Sequence, residues 1–302
     1  MRPINKIRQA IEAETHRHTV KRGVFKQLHI ENMPWLMTAF GLFLKISLLE
    51  HRGKANALDV QLEEVEICLP GLPRGFENTK ILFISDLHIE GIDALTDNVI
   101  AMVEGLGYDF CVLGGDYSFS ERIESDVAFS RMVKIATFLT QRTEVFGILG
   151  NHDRYSMAEC LHQCGVQMLI NDSVCVQKEG DSLHLVGLDD GHYYQADDLS
   201  LAGSDVPGDA FRVLLCHSPE RYELAATAGY ALYLAGHTHG GQVCLPNGFA
   251  PVTCASTPRA LLHGLWQIHD MCGYTSRGCG TSSLPVRFFC PPEITLLTLT
   301  GA

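Results

Sequence analysis

Short apolar runs, each ending in small, acidic or imidazole side chains, recur along most of the chain: KILFISD (80–86), DFCVLGGD (109–116), EVFGILGNHD (144–153), FRVLLCHS (211–218) and ALYLAGHTH (231–239). Runs of this length, bounded by turn residues, read as buried strands. The segments that follow the first three, DALTDNVIAMVEGLG, ESDVAFSRMVKIATFLTQ and MAECLHQCG, carry apolar residues at helical spacing. Strands and helices alternating at this interval imply right-handed crossovers, a largely parallel sheet and an α/β class. VQLEEVEICLP (60–70) alternates as a strand should, VCVQKEGDSLHLVGLDD (174–190) reads as a hairpin around Glu179, Gly180 and Asp181, and QVCLP and EITLLTLT are strand-like.

The N-terminal region has another texture. Arg2, Lys6, Arg8, Arg17, Lys21, Arg22 and Lys26 accompany Ile4, Ile7 and Ile11 at helical spacing, which predicts a basic amphipathic helix within residues 1–33. Trp35 to Leu49 is mostly apolar but short: as a helix it reaches roughly 22 Å, less than the roughly 30 Å hydrocarbon layer. It also contains Lys45. A spanning helix and a secretory signal are therefore both disfavoured. Two readings stand open, a helix lying in a membrane interface and a helix docked on the catalytic body or a second subunit. The expected division is residues 1–55 as a helical extension and 56–302 as the catalytic domain.

A net charge of -12 argues against nucleic-acid binding through a broad basic face. The eleven cysteines are odd in number, form no C-x-x-C pair and often sit in apolar runs. They read as reduced core thiols, which predicts a cytoplasmic protein or one peripheral to the cytosolic face of a membrane.

The polar residues that close the strand-like runs are chemically consistent: Asp86 and His88, Asp116, Asn151 with His152 and Asp153, His217, and His237 with His239. Carboxyl ends of strands are where open α/β sheets bind ligands, so the motifs are expected to converge. Asp86 and His88, two residues apart, would leave an extended chain on the same face. Glycines before Asp116 permit close approach, Asn151 offers a neutral oxygen, and Asp153 is placed to orient His152. Each string alone has a bland explanation: a turn, or a satisfied histidine at a strand end. Together they describe a site for two divalent ions, whose positive charge would attract phosphate even on an acidic protein, and predict phosphate ester hydrolysis.

The order D-x-H, GD, GNHD, H, GHxH from Asp86 to His239 resembles the calcineurin-like metallophosphoesterases. GHTHGGQ and the tail YTSRGCGTSSLPVRFFCPPEITLLTL are similar to the YaeI/YkuE-like phosphodiesterase branch, to which the chlamydial-type UDP-2,3-diacylglucosamine pyrophosphatase is related. The resemblance implies a four-layer α-β-β-α sandwich with two mixed sheets. It implies one ion on Asp86, His88 and His239, another on Asn151, His217 and His237, and Asp116 bridging. His152 would be the catalytic histidine, with Asp153 holding its ring, and a hydroxide between the ions would attack phosphorus in line. Manganese, iron and zinc all suit these donors. The implied substrate is a phosphodiester or pyrophosphate, lipid- or nucleotide-linked in one version and a soluble cyclic nucleotide or small diester in another; a non-catalytic scaffold is the rival outside enzymes. Oligomeric state is not readable.

The Asp-Arg-Gly of the protein phosphatase branch is missing, since YSFSER follows Asp116. Arg277 and Arg287 read either as phosphate ligands or as clamps on backbone carbonyls. Asp189, Asp190 and His192 line the cleft or form a solvated turn, the latter being expected. Leu261, Leu262, Leu265 and Trp266 form a lid or core, with core expected.

Overall fold

The structure, a computed structural model, describes residues 2–13, 34–119, 124–253 and 255–302. Arg17, Lys21, Arg22, Lys26 and Cys254 lie outside the described residues. The chain opens with α1 (Lys6–Ala13), α2 (Pro34–Ile46) and α3 (Leu49–Leu58). β1 (Gln61–Leu69), β2 (Lys80–Ile84), α4 (Leu95–Glu104), β3 (Phe110–Leu113), α5 (Asp126–Thr140), β4 (Glu144–Gly147), α6 (Tyr155–Gln163) and β5 (Gln167–Met168) follow. The second half comprises β6 (Asp172–Lys178), β7 (Asp181–Gly187), α7 (Leu199–Ala202), β8 (Arg212–Leu215), α8 (Tyr222–Thr227), β9 (Leu232–Ala235), β10 (Gly264–Ile268), β11 (Met271–Thr275) and β12 (Glu293–Gly301).

These strands form two mixed six-stranded sheets, ordered β1-β12-β2-β3-β4-β5 and β10-β11-β9-β8-β7-β6. The period-two alternation of each strand sorts its side chains between layers. Ile81, Phe83, Val112 and Phe146 of the first sheet meet Leu183, Leu185, Val213 and Leu234 of the second in an inner core. Leu82, Ile84, Leu113 and Val145 point the other way, onto α4, α5 and α6. Val186, Leu214 and Tyr233 face outward from the second sheet, against residues of α7 and α8. The result is the expected α-β-β-α sandwich. Within each sheet the central strands β2–β5 or β7–β9 are parallel, so their carboxyl ends share one edge.

The hairpin turns at Glu179 and Gly180, both with positive φ, as its sequence predicts. QVCLP does not become a strand; Val243 makes a single bridge to Phe288. Trp266 is core, stacked where a Cβ on Gly273 would come within 2.2 Å of its ring, whereas Leu265 on the same strand is exposed. α3 packs on the tail through Gly53 and Asn56, whose side chain donates to the Arg287 carbonyl at 2.9 Å. Of the basic N-terminal stretch, the described helix is α1 alone, and its Arg8 faces inward. Among the described residues no helix is long and apolar enough to cross a membrane.

Leu139 of α5 is 1 % exposed in the layer between α5 and the first sheet. Leu139→Ala is expected to lower stability by about 2–5 kcal/mol, read from urea unfolding, because the cavity cannot fully collapse.

Candidate metal centre

Every expected donor residue sits just past the carboxyl end of a parallel strand. Asp86 and His88 follow β2, Asp116 follows β3, Asn151 follows β4, His217 follows β8, and His237 and His239 follow β9. The convergence is real, but its local cause differs from the extended chain expected for Asp86 and His88. Both have left-handed backbone, at φ 53° and 37°, as do Asp116, His237 and His239. The chain turns back on itself at each strand end, and the turns are pinned by hydrogen bonds from Asp86 N to Gly115 O at 2.9 Å and from His88 N to Asp116 O at 3.0 Å. Short polar side chains tolerate this region better than most residues. Close approach does the rest: a Cβ on Gly150 would lie 2.1 Å from Asp116 Oδ1, and one on Gly236 would lie 2.2 Å from Asp86 Oδ2.

Two groups of donor atoms result, Asp86 with His88 and His239, and Asp116 with His217 and His237, each group within 4.8 Å and buried. His239 Nε2 stands 3.2 Å from His88 Nε2 and 3.4 Å from Asp86 Oδ1. Donors bound at about 2.1 Å to one cation are about 3.0–3.5 Å apart, so the spacing fits. Asp116 Oδ2 lies 3.4 Å from His88 Nε2 and 3.2 Å from His217 Nε2, which places this carboxylate between the groups. Asn151 Oδ1 is 2.7 Å from His237 Nδ1 and joins the second group. The Nδ1 atoms of His88 and His217 face the carbonyls of Ser118 at 2.8 Å and Gly114 at 2.7 Å. Donation there leaves each Nε2 lone pair aimed at the centre, the orientation metal ligands need. Buried carboxylates and imidazoles in this arrangement suit divalent ions.

The titration pattern follows from the same crowding. Burial, reinforced by Asp116, raises Asp86 to about 6. Burial pushes His88 down to about 3, and with His88 and Arg287 nearby holds His239 well below its usual range. Burial opposes charge at His217 too, but Asp116 and Asp86 outweigh it and raise that imidazole to about 10. Asp116 shows the converse: despite burial, His217, His152 and His88 keep its carboxylate well below the ordinary value.

Asp153 does not hold the His152 ring as expected. Its two oxygens accept the backbone N–H groups of Asp116 (2.7 Å), Tyr117 (2.8 Å), Ser118 (3.2 Å) and Gly150 (2.9 Å), tying the β3 and β4 loops together. The carbonyl of Phe119, 2.9 Å from His152 Nδ1, orients that ring instead, and His152 N donates to Asp116 Oδ1 at 2.9 Å. Asp189, Asp190 and His192 are buried rather than a solvated turn, each 1 % exposed. The His192 ring lies 4.3 Å from that of His237 and its Nδ1 lies 3.2 Å from Glu220. Arg287 is a carbonyl clamp, donating to Arg277 O at 2.7 Å and to Gly278 O at 3.1 Å, and Arg277 pairs with Glu293 at 2.6 Å and with Glu63. Ser85, adjacent to Asp86 in sequence but not among the expected site residues, donates its hydroxyl to Asp86 Oδ2 at 2.7 Å. Sequence reasoning missed the inward Arg8, for which a basic helical pattern gives no signal.

Two six-stranded sheets within helical layers, with aspartates, an asparagine and histidines gathered at their shared edge, define a metallophosphoesterase. The family model described as calcineurin-like phosphoesterase matches residues 79–241, and the chain belongs to that family. It is 30% identical to phosphodiesterase YaeI of Escherichia coli over 73% of this chain and 82% of that protein. It is 28% identical to the uncharacterized metallophosphoesterase YkuE of Bacillus subtilis over 76% of this chain and 81% of that one. The solved phosphopantetheinyl hydrolase PptH of Mycobacterium tuberculosis superposes with TM-score 0.42 at 12% identity, over 68% of this chain and 91% of that one. The chain is a hydrolase acting on phosphate esters.

Raising Asp86 to about 6 gives metal binding a definite pH dependence. Below that value the folded, metal-free protein takes up a proton that an ion must displace, so affinity should fall about tenfold per unit of pH for that proton. Manganese should therefore raise the thermal midpoint less at pH 5.5 than at pH 7.5. An equal rise at both would contradict a metal held by Asp86.

Proposed function

We propose that the protein is a dinuclear metal-dependent phosphodiesterase or pyrophosphatase. Asp86, His88 and His239 hold one divalent ion, Asn151, His217 and His237 hold the other, and Asp116 bridges them. The observation that carries this reading is the position of Asp116 Oδ2, 3.4 Å from a histidine of one group and 3.2 Å from a histidine of the other. Two ions, when bound, supply an activated water for in-line attack and neutralise the charge that grows on the phosphoryl oxygens.

The chain's own residues do the rest. Ser118 O and Gly114 O fix the rings of His88 and His217, and Ser85 with the backbone N–H of His237 holds the Asp86 carboxylate. His152 is half-buried, its ring edge-on to His88 at 4.9 Å. With Nδ1–H donated to Phe119 O, its Nε2 is the atom that contacts a phosphoryl oxygen or passes a proton to the leaving oxygen. Asp153 keeps the loop of His152 in register with Asp116 and takes no part in proton transfer.

The substrate, we propose further, carries an apolar, lipid-like part presented at a membrane surface. Support comes from α2, where Leu42, Phe43 and Ile46 are exposed, next to the basic Lys45. A cavity of about 450 Å³ lies between α2 and Leu284, Pro285 and Val286, in the tail that Arg287 anchors beside His239.

His152→Ala should keep two equivalents of metal and lose about 10²–10⁴-fold in kcat on an aryl phosphodiester; undiminished turnover would remove His152 from the chemistry. The lipid part is tested with anionic vesicles: the intact chain should co-sediment, and Phe43→Glu with Ile46→Glu should abolish this while leaving hydrolysis of the soluble diester intact. Equal soluble fractions would reject it.

A further inference from the structure

Arg8 is 0 % exposed, an unusual place for a guanidinium from a short N-terminal helix. A buried cation is tolerated only when paired and hydrogen-bonded. Its Nε donates to Asp189 Oδ1 at 2.8 Å and its Nη2 lies 2.7 Å from the same oxygen as an ion pair, while its Nη1 donates to the Asp153 carbonyl at 2.7 Å and lies 3.3 Å from Glu12. The guanidinium also stacks 3.8 Å over the Tyr194 ring. Glu12 in turn accepts from Tyr155 N at 2.9 Å, Asn5 donates to Ala196 O at 3.2 Å, and Tyr155 donates to Arg2 O at 2.8 Å.

Two loops therefore meet on one side chain. The loop after β4, in the first sheet, carries Asn151 and His152 and ends at Asp153. The loop after β7, in the second sheet, carries Asp189, and β7 pairs with β8, which leads to His217. The donors of the second ion come from both sheets: Asp116 and Asn151 from the first, His217 and His237 from the second. Between the sheets the inner core is apolar, and apolar contact sets a spacing without fixing direction. A guanidinium fork is directional. Asp153, held by Arg8 through its carbonyl, grips Asp116 N and Gly150 N with its carboxylate, so a displacement at residue 153 reaches both first-sheet donors.

We infer that residues 2–13 are a clasp across the rim of the centre, and that Arg8 is a positioning residue that sets the distance between the two halves of the second ion's site. The inference rests on the two-ion reading above.

Manganese titration of the metal-free, full-length protein, followed by electron paramagnetic resonance, tests it. Wild type should bind two equivalents and show a spin-coupled signal. Arg8→Met should bind the second ion at least tenfold more weakly, bind the first with a smaller loss because Asp86, His88 and His239 remain, and lose the coupled signal. Leu139→Ala serves as a control, destabilised but remote from the centre; it should keep both equivalents. Arg8→Met binding its second ion within threefold of wild type would overturn the clasp, as would Leu139→Ala losing that ion equally. If Arg8→Met does not fold, Arg8→Lys takes its place under the same two comparisons: its ammonium keeps the charge near Asp189 but cannot span both partners, so the second ion should again weaken more than the first. Fewer than two ions on wild type would instead refute the two-ion reading, before any variant is compared.

Discussion

Five of the seven donor residues, Asp86, His88, Asp116, His237 and His239, sit in left-handed backbone, and the centre exists only because the strands behind them hold that geometry. At about 1 kcal/mol or more for each such residue, the cost is on the order of 5 kcal/mol, comparable to the net stability of a whole domain. It is offset by what surrounds the turns. β2, β3, β4, β8 and β9 are buried along nearly their full length, and burying one Leu, Ile or Phe contributes about 1.5–3 kcal/mol. Four backbone N–H groups that the β3 and β4 loops would otherwise leave unpaired are taken by Asp153. Strain at the edge and regularity in the sheets are two sides of one arrangement.

Electrostatics make the same arrangement specific for cations. Asp86 and Asp116 are buried together, and the opposite shifts at His88 and His217 express how poorly protons alone can serve the cluster. One imidazole is driven neutral while another is driven charged to compensate Asp116. On the two-ion reading, a divalent ion in each group would supply the charge both carboxylates need and would free every imidazole to act as a neutral donor. The chain's net charge of -12 is therefore no obstacle to an anionic substrate: the attraction is local.

How far the fold and site were legible in the sequence follows from the range of the interactions involved. β2, β3, β4, β8 and β9 announce themselves because a strand buried on both faces is a continuous apolar run, and the donor residues are legible because they close those runs. β10 and β11 were not legible: Leu265 points to solvent, Gly273 has no side chain where Trp266 lies, and the surrounding Gly, Pro and Thr mask the alternation. QVCLP has a strand's composition but forms one isolated bridge, Val243 to Phe288, rather than a ladder. The left-handed turns at Asp86 and His88 escaped because spacing alone does not distinguish an extended chain from one that doubles back. Asp153 next to His152 suggested a local pair, yet its hydrogen bonds run mostly to residues 116–118. Asp189 looked like a solvated turn because the partner that buries it, Arg8, lies 181 positions away.

The arginines near the centre carry a last consequence. Arg287 spends its donors on carbonyls of the tail and of His239, Arg277 on Glu63 and Glu293, and Arg8 on Asp189 and Asp153. α1 and the 277–290 segment thus close on the edge where the donors gather, with guanidinium groups as rivets. On the two-ion reading proposed above, phosphate recognition would fall to the cations and to His152. Selectivity among phosphate esters would then come from what lies beyond the phosphate: the 242–253 segment continues from His239, Arg287 of the tail reaches His239 O, and α2 lies against Leu284, Pro285 and Val286. These surfaces expose Phe249, Phe289, Leu42 and Phe43. On that same proposal, a site that anchored phosphate by metal charge and offered hydrocarbon beside it would discriminate by the apolar part of its substrate, since the anionic part is common to every ester the cations would accept.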